Sequence, residues 1–412
     1  MFSKEIVRGL LAAMGFAANA ASVAVGRRHE QRRRLAVALV GLILLLCCGL
    51  QVHATEPFFP KVIDLDTTGW DASFARSVNN QGTVAGNVRS ADSRFQACLW
   101  QNGVRTDLGT MLSGANSELQ AINEVGQVFG ACWYNGMPGQ WGFIITPDNG
   151  VYFRDANGDG CNDLMVDIGN LGGATCTSAY DINDNGVAVG LSVAPLNMNY
   201  AYRYENGQMY DLNLSTEGCA YGINNRKQIV GQRATGVGTY KAWQWENGVS
   251  WLLGELPGGI CSQAYAINEA GIAAGWSTTS GNADESMHAV IWDDGPVDLG
   301  QLGGQPTIAR AINADARVVG SAHSLDYLTE SAFLWEGGVM YGLDDLVSES
   351  ADWRLTRAED VNDNGWVVGG GINPDGLNHA YLLSTVPEPG SLAMLLGIAL
   401  TVLLYWCRKR AA

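Results

Sequence analysis

Ile267-Asn268-Glu269-Ala270-Gly271-Ile272-Ala273-Ala274-Gly275 is one copy of a pattern that organises most of this 412-residue chain. An apolar residue and an asparagine lead into a short turn, usually with glycine, and a small apolar run follows that ends in glycine. The same pattern runs from Val78-Asn79 to Gly86, Ile122-Asn123 to Gly130, Ile182-Asn183 to Gly190, and Ile223-Asn224 to Gly231. It returns from Ile312-Asn313 to Gly320 and from Val361-Asn362 to Gly369, making seven copies. Their asparagines are 44, 60, 41, 44, 45 and 49 residues apart, so one unit carries an insertion, which falls at about 147–170. Regular self-similarity at this period marks a repeat architecture.

A second element follows each copy, as in Ala97-Cys98-Leu99-Trp100, Ala242-Trp243-Gln244-Trp245, Ala289-Val290-Ile291-Trp292 and Ala332-Phe333-Leu334-Trp335. In the second copy it is degenerate, at Trp141 to Ile145. A third element is typically Asp-Leu-Gly, as at Asp107-Leu108-Gly109 and Asp298-Leu299-Gly300. Short runs of Val, Ile, Trp and Tyr separated by Asn-Gly, Glu-Gly and Asp-Gly turns are strand and hairpin chemistry. A four-stranded unit of this length is a propeller blade, so the chain is expected to be all-β, a seven-bladed β-propeller over 55–385, with a β-solenoid as the alternative. The last unit ends at Leu383-Ser384 without its Asp-Leu element, while Val62-Ile63-Asp64-Leu65 precedes the first. The N-terminal strand is therefore expected to complete the last blade and leave no exposed edge.

The repeat resembles the HAF family of extracellular bacterial repeats, named for a His-Ala-Phe step. That step stands here as His288-Ala289-Val290 and His379-Ala380-Tyr381, with Gln96, Tyr200, Lys241 or Ser331 in place of the histidine elsewhere. The resemblance spans nearly the whole repeat region and implies no activity.

The insertion, assigned to the third unit, contains Asp155-Ala156-Asn157-Gly158-Asp159-Gly160-Cys161-Asn162-Asp163. Side-chain oxygens at loop positions one, three, five and nine, glycine at six and a carbonyl at seven match a calcium loop. The expected ligands are Asp155, Asn157, Asp159, Cys161 (through its carbonyl) and Asp163. Val166 stands where an EF-hand has its bidentate glutamate, which places the loop nearer the shorter Asp-rich loops of dockerins. The repeated asparagines read as turn-locking residues, bonding backbone two residues on. Trp100, Trp245, Trp292 and Trp335 end strands at equivalent places and read as packing between blades.

Both ends carry targeting signals. Arg32-Arg33-Arg34, the apolar stretch 35–50 and Val52-His53-Ala54 make residues 1–54 an extended signal peptide. At the other end stand Val386-Pro387-Glu388-Pro389-Gly390, an apolar run over 391–406 read as a transmembrane helix, and the basic Arg408-Lys409-Arg410. Spacer, span and basic tail in this order resemble the PEP-CTERM sorting signal of Gram-negative bacteria. That resemblance implies a precursor held in the inner membrane, processing near the Pro-Glu-Pro by an exosortase, and delivery to the cell surface or extracellular matrix. The basic tail also places the far end of the span on the cytoplasmic side, and a plain C-terminal anchor is the alternative.

Between the two signals stand 38 acidic against 15 basic residues, a net of −23. Such a chain repels phosphate backbones, so nucleic acid is excluded as a partner. Six cysteines lie in this region (Cys98, Cys132, Cys161, Cys176, Cys219 and Cys261), enough for disulfides in an exported chain but without a C-x-x-C metal or redox pair. Its histidines are His288, His323 and His379, and there is no Gly-x-Ser-x-Gly elbow, His-Glu-x-x-His or phosphate loop. The expectation is a non-enzymatic binding or structural protein, and the resemblance of the tail to the PEP-CTERM signal implies its link to exopolysaccharide. The rivals are a polysaccharide hydrolase or lyase built on a carboxylate pair and a protein–protein adhesion module.

Overall fold

The computed structural model describes residues 59–385, apart from 66, 137–138, 195–197, 237, 282–285, 305, 325–328 and 350–351. The signal segment 1–54 and the tail 386–412 lie outside the described residues. So do Val386, Pro387, Glu388, Pro389, the span 391–406, Arg408, Lys409 and Arg410. Among the described residues no helix is long and apolar enough to cross a membrane.

Six sheets are four-stranded and antiparallel, a seventh has five strands, and together the seven form the propeller. After β1 (Phe59–Asp64), the first blade holds β2 (Ala72–Val78), β3 (Val84–Arg89), β4 (Phe95–Gln101) and β5 (Val104–Gly109). The second holds β6 (Asn116–Ile122), β7 (Val128–Trp133), β8 (Trp141–Ile145) and β9 (Val166–Asp167). The third holds β10 (Cys176–Ile182), β11 (Ala188–Ala194), β12 (Met198–Glu205) and β13 (Gln208–Asp211). The fourth holds β14 (Gly218–Ile223), β15 (Ile229–Gly236), β16 (Thr239–Glu246) and β17 (Val249–Leu252). The fifth holds β18 (Ser262–Ile267), β19 (Ala273–Thr278), β20 (Met287–Trp292) and β21 (Pro296–Gly300). The sixth holds β22 (Thr307–Ile312), β23 (Val318–His323), β24 (Glu330–Glu336) and β25 (Val339–Gly342). The seventh is built from β26 (Val347–Glu349), β27 (Arg354–Val361), β28 (Val367–Ile372) and β29 (Asn378–Leu383), with β1 between β29 and β26.

That seventh sheet closes the ring in the way the unpaired Val62-Ile63-Asp64 suggests. β1 runs antiparallel to β29, Val62 opposite Leu383 and Asp64 opposite Tyr381, and β26 covers its outer edge in parallel. Removing that strand edge removes a template for self-association. The His-Ala-Phe step takes part in the closure. His379 Nδ1 bonds Asp64 at 2.8 Å, tying the last blade to the first strand, and His288 Nδ1 makes the same bond to Asp298 at 2.9 Å within the fifth blade. Lys241 replaces the histidine in the fourth blade and pairs instead with Glu255 at 3.0 Å.

The core lies between blades, as a series of clusters each fed by two neighbouring sheets. Trp100 and Trp292 are 1% and 3% exposed, while Trp245 and Trp335 pack half-buried against adjacent clusters. All four therefore serve packing. The segment at Trp141 to Ile145, degenerate in sequence, is a full third strand. The insertion belongs to the second blade, between β8 and β9, and not to the third unit. The spacing between asparagines locates an insertion only to a 60-residue interval, and the pairing of Val166 with Ile144 assigns it. The six cysteines are all free thiols, with Cys98, Cys132, Cys219 and Cys261 buried.

Candidate functional site

The innermost strands β2, β6, β10, β14, β18, β22 and β27 surround the propeller axis, and the repeated asparagines sit at their ends. These seven side chains are 2–6% exposed, so each must find partners inside the protein. Every Oδ1 accepts the backbone N–H four residues on, from Thr83, Gln127, Val187, Gln228, Ile272, Arg317 and Trp366, at 2.8–3.0 Å. In four copies, Asn183, Asn224, Asn268 and Asn313, Oδ1 also accepts the N–H two residues on, at 3.1 Å. The turn-locking role is thus present. Every Nδ2 then reaches the next blade and donates to the carbonyl of the next asparagine. The bonds run Asn79 to Asn123 to Asn183 to Asn224 to Asn268 to Asn313 to Asn362 and back to Asn79, at 2.9–3.4 Å. Seven amides form one closed belt around the axis.

The residue after each asparagine builds a second tier. Asn80, Glu124, Asp184, Asn225, Ala314 and Asp363 each present a backbone N–H to the side chain at the same position in the next blade, at 2.8–2.9 Å. The tier is broken only after Glu269, because Ala314 has no acceptor to offer. At this mouth Asn123, Asn183, Glu124, Asp184, Asn225 and Glu269 line a polar recess of about 140 Å³. Burial, opposed by the Asn80 N–H and reinforced by the charges of Asp184, Asp363 and Asp360, raises the Glu124 carboxyl above its usual range.

Three residues before each asparagine, every innermost strand carries a β-bulge. The register shifts between Ala75 and Ser77, Leu119 and Ala121, Ala179 and Asp181, Ala220 and Gly222, Ala264 and Ala266, Ala309 and Ala311, and Ala358 and Asp360. A bulge leaves one residue unpaired and re-aims its side chain. The seven extra residues are Arg76, Gln120, Tyr180, Tyr221, Tyr265, Arg310 and Glu359. The glycine that ends each repeat faces this bulge: a Cβ on Gly86 or Gly275 would stand 2.0 or 1.9 Å from the carbonyl oxygen of Phe74 or Gln263. Only a residue without Cβ lets the bulged strand come so close.

The ring of bulge residues has two unlike halves. Tyr180, Tyr221 and Tyr265 stand on consecutive blades with ring centroids 5.0 and 5.1 Å apart. Burial keeps all three phenols neutral, pushing Tyr180 up to about 12. Opposite them Glu359 lies between Arg76 at 3.4 Å and Arg310 at 3.7 Å, with Arg357 at 3.6 Å. The Nε atoms of Arg76 and Arg310 are buried and have no hydrogen-bond partner among the described residues. An unmade bond of this kind costs about 1–3 kcal/mol. Arg357 is held by Glu330 through two bonds of 2.9 and 2.6 Å, and burial, outweighed by His323 and Arg357, leaves the Glu330 carboxyl at about 2.

Asp181 and Asp360, on the innermost strands β10 and β27, are engaged by backbone, whereas Glu118 on β6 accepts, among the described residues, only Gln120 Nε2, at 3.0 Å. Asp181 accepts the N–H groups of Ile223 and Ile182 at 2.9 and 2.8 Å, and Asp360 those of Val78 and Val361 at 2.8 Å. Burial nevertheless raises both, Asp181 to about 6.

The Asp155 loop is folded around its first carboxylate. Asp155 Oδ1 accepts Gly158 N–H at 2.7 Å and Asp159 N–H at 3.1 Å, and its Oδ2 accepts Gly160 N–H at 3.0 Å. Asp159 accepts Cys161 N–H at 2.8 Å and Asn157 Nδ2 at 3.0 Å, while Asp163 accepts Ala156 N–H at 2.7 Å. Among the described residues no three His, Cys, Asp or Glu side chains gather closely enough to hold a metal ion. The residue that anchors the loop is Asn162, which was not among the expected ligands. It is 2% exposed, donates to Leu108 and Tyr152 carbonyls at 2.8 Å, and accepts Arg154 and Leu164 N–H. The insertion is thereby fastened to the end of β5 in the first blade, where Thr83, Leu99, Thr106, Val151, Tyr152 and Phe153 line an open cleft of about 220 Å³.

No protein-family model and no curated protein matches the sequence. Among solved structures the chain is similar to the β-propeller domain of the trilobed protease from Pyrococcus furiosus, at 13% identity and a TM-score of 0.50, over 76% of this chain and 96% of that one. A protein described as TolB from Agrobacterium tumefaciens follows at 10% identity and a TM-score of 0.41, over 69% of this chain and 95% of that one. AofleA from Arthrobotrys oligospora has 12% identity and a TM-score of 0.37, over 69% and 87%. The protease domain is reported with an open velcro topology, whereas β1 here closes the ring on β29. The chain shares the propeller fold, and fold does not carry function.

Proposed function

We propose that this chain is an exported propeller sorted to the cell surface or extracellular matrix, where it has a non-enzymatic binding or structural role linked to exopolysaccharide. The observation that carries the non-enzymatic part is the use made of the inward carboxylates. Asp181, Asp360, Glu124, Asp184 and Asp363 each accept a backbone N–H from the neighbouring blade, and Glu359 is shared among arginines. Glycoside cleavage needs one carboxyl free to give a proton and another free to attack or to activate water. Carboxylates that hold blades together are not free in that sense. The export and sorting parts rest on the two terminal segments of the sequence, with an exosortase as processing partner and the inner membrane as a transient station.

The test is retention of the purified protein on exopolysaccharide extracted from the producing organism, with glycan chain length followed in parallel. Retention without shortening is expected, and shortening would make the protein an enzyme. Fractionation of cells carrying Glu388→Ala tests sorting: the variant should accumulate in the inner membrane, and an unchanged distribution would overturn the sorting role. Calcium at the Asp155 loop belongs to the same proposal. Three N–H groups orient Asp155, and the ion would have to draw Asp159 and Asp163 inward. Affinity near about 1 mM suits an extracellular module. Calcium should raise the melting temperature of the natural protein and not of Asp155→Ala; no rise in either would remove calcium from the reading.

A further inference from the structure

The identity of the bulge residues is not a requirement of the fold. Seven equivalent positions carry Arg76, Gln120, Tyr180, Tyr221, Tyr265, Arg310 and Glu359, four residue types on one backbone geometry. The bulge needs the facing glycine, not a particular side chain. Yet the types are sorted, with tyrosines on three consecutive blades and the charged residues on three others. All of these side chains are half-buried, neither in the sealed core nor fully in water.

We propose that this ring binds a neutral saccharide, with Tyr180, Tyr221 and Tyr265 against the apolar C–H face of a pyranose and Arg76, Arg310 and Glu359 bonding its hydroxyls. The inference rests on the binding role proposed above and names the site for it. A tyrosine presents a large flat apolar face at low conformational cost, and its hydroxyl adds a polar handle. A pyranose pairs such a face with a rim of adjacent hydroxyls, each both donor and acceptor. Planar guanidinium and carboxylate groups meet adjacent hydroxyls two bonds at a time. The buried, unspent Nε donors of Arg76 and Arg310 are donors of the kind a hydroxyl satisfies.

Charge balance favours a neutral ligand. Glu359 offsets the Arg76 and Arg310 pair in part, Arg76 also acts on the half-buried Glu118, and Glu330 takes Arg357. No strong field of one sign remains to select an anion or a cation, and the phenols stay un-ionised throughout the physiological range.

The experiment compares the purified full-length protein with Tyr221→Ala, Tyr221→Phe and Arg310→Gln, after each variant's melting temperature shows that it folds. The probes are the producing organism's exopolysaccharide and a set of neutral tetrasaccharides of glucose, galactose, mannose and N-acetylglucosamine. At least one probe should bind, with affinity lowered about tenfold or more by Tyr221→Ala (about 1.4 kcal/mol), lowered by Arg310→Gln, and nearly kept by Tyr221→Phe. Binding by Tyr221→Ala and Arg310→Gln equal to that of the natural protein would overturn the bulge-ring site while leaving the polysaccharide role standing. Binding of tetrasaccharides but not of the polymer would support the site and count against the matrix role. No binding of any probe by the natural protein would overturn both.

Discussion

The asparagine belt and the bulge ring lie three residues apart on the same seven strands, yet one is uniform and the other is not. At the belt all seven blades use one residue, the same Oδ1 bond from the N–H four residues on and the same Nδ2 bond to the next blade. At the ring the blades use four residue types over one conserved geometry. Where a repeat must join to its neighbour, every copy has to meet the same partner in the same place, and variation would leave a buried amide unpaired. Where the repeat faces the axis, each copy is free to differ, and the differences are where a ligand could be read. Uniformity within the chain marks the scaffold, and departure from it marks the surface available for recognition.

The sharpest way to break this contrast is to truncate one belt residue. Asn268→Ala removes the part-buried bonds from Ile272 and Ala270 N–H and the buried bond to the Asn313 carbonyl. A loss of about 3 kcal/mol is expected, since a net bond contributes roughly 1 kcal/mol and orphaned partners add to it. Arg310→Gln, three residues before the belt, should change stability by less than about 1 kcal/mol, because partly exposed ion pairs contribute little. Urea denaturation of both variants measures the ratio, and equal losses would erase the distinction between scaffold and reading surface.

Asp181 tests the inward carboxylates. Its carboxyl stands at about 6 in the fold, above its ordinary value, so the folded protein holds this proton more tightly than the unfolded chain. The sign is that of a cost: its contribution to stability falls as pH rises from about 4 to 6 and stays low above that. Asp181→Asn keeps an acceptor for Ile223 and should stabilise the protein at pH 7 by about 1 kcal/mol while flattening this pH window. Unchanged pH dependence would show that Asp181 is not the titrating group.

Two smaller changes sharpen the repeat itself. The residue three after each asparagine has positive φ in every blade, and it is glycine in five but Lys227 at φ 61° and Ala316 at φ 60° in the others. Ala316→Gly should therefore stabilise by about 1 kcal/mol, the cost of a side chain in this left-handed conformation. Ala314→Asn would supply the acceptor missing from the second tier and add about 0.5 kcal/mol. Thermal melts read both, and a loss in either would mean that the turn, not the tier, sets the geometry there.

The repeat period, the short strands and the turn chemistry made the blades and their number legible, because each depends on residues within one unit. The ring closure was legible for the same reason, since an unpaired Asp-Leu element before the first unit and a missing one after the last can be compared directly. The Asp155 stretch reads in sequence as a calcium loop, but the anchoring role of Asn162 was not legible, because its partners are the Leu108 and Tyr152 carbonyls. The belt was not legible either. An asparagine before a turn announces a local Oδ1 bond, expected two residues on and found four residues on in every blade, but its Nδ2 partner lies 41 to 60 residues away, and 283 at the closing bond. Sequence alone determined the unit, because local propensity and periodicity act within a strand or hairpin. Tertiary structure decided which amides meet, which side chains the bulges turn toward the axis and which blade owns the insertion, because those contacts exist only once the sheets stand beside one another.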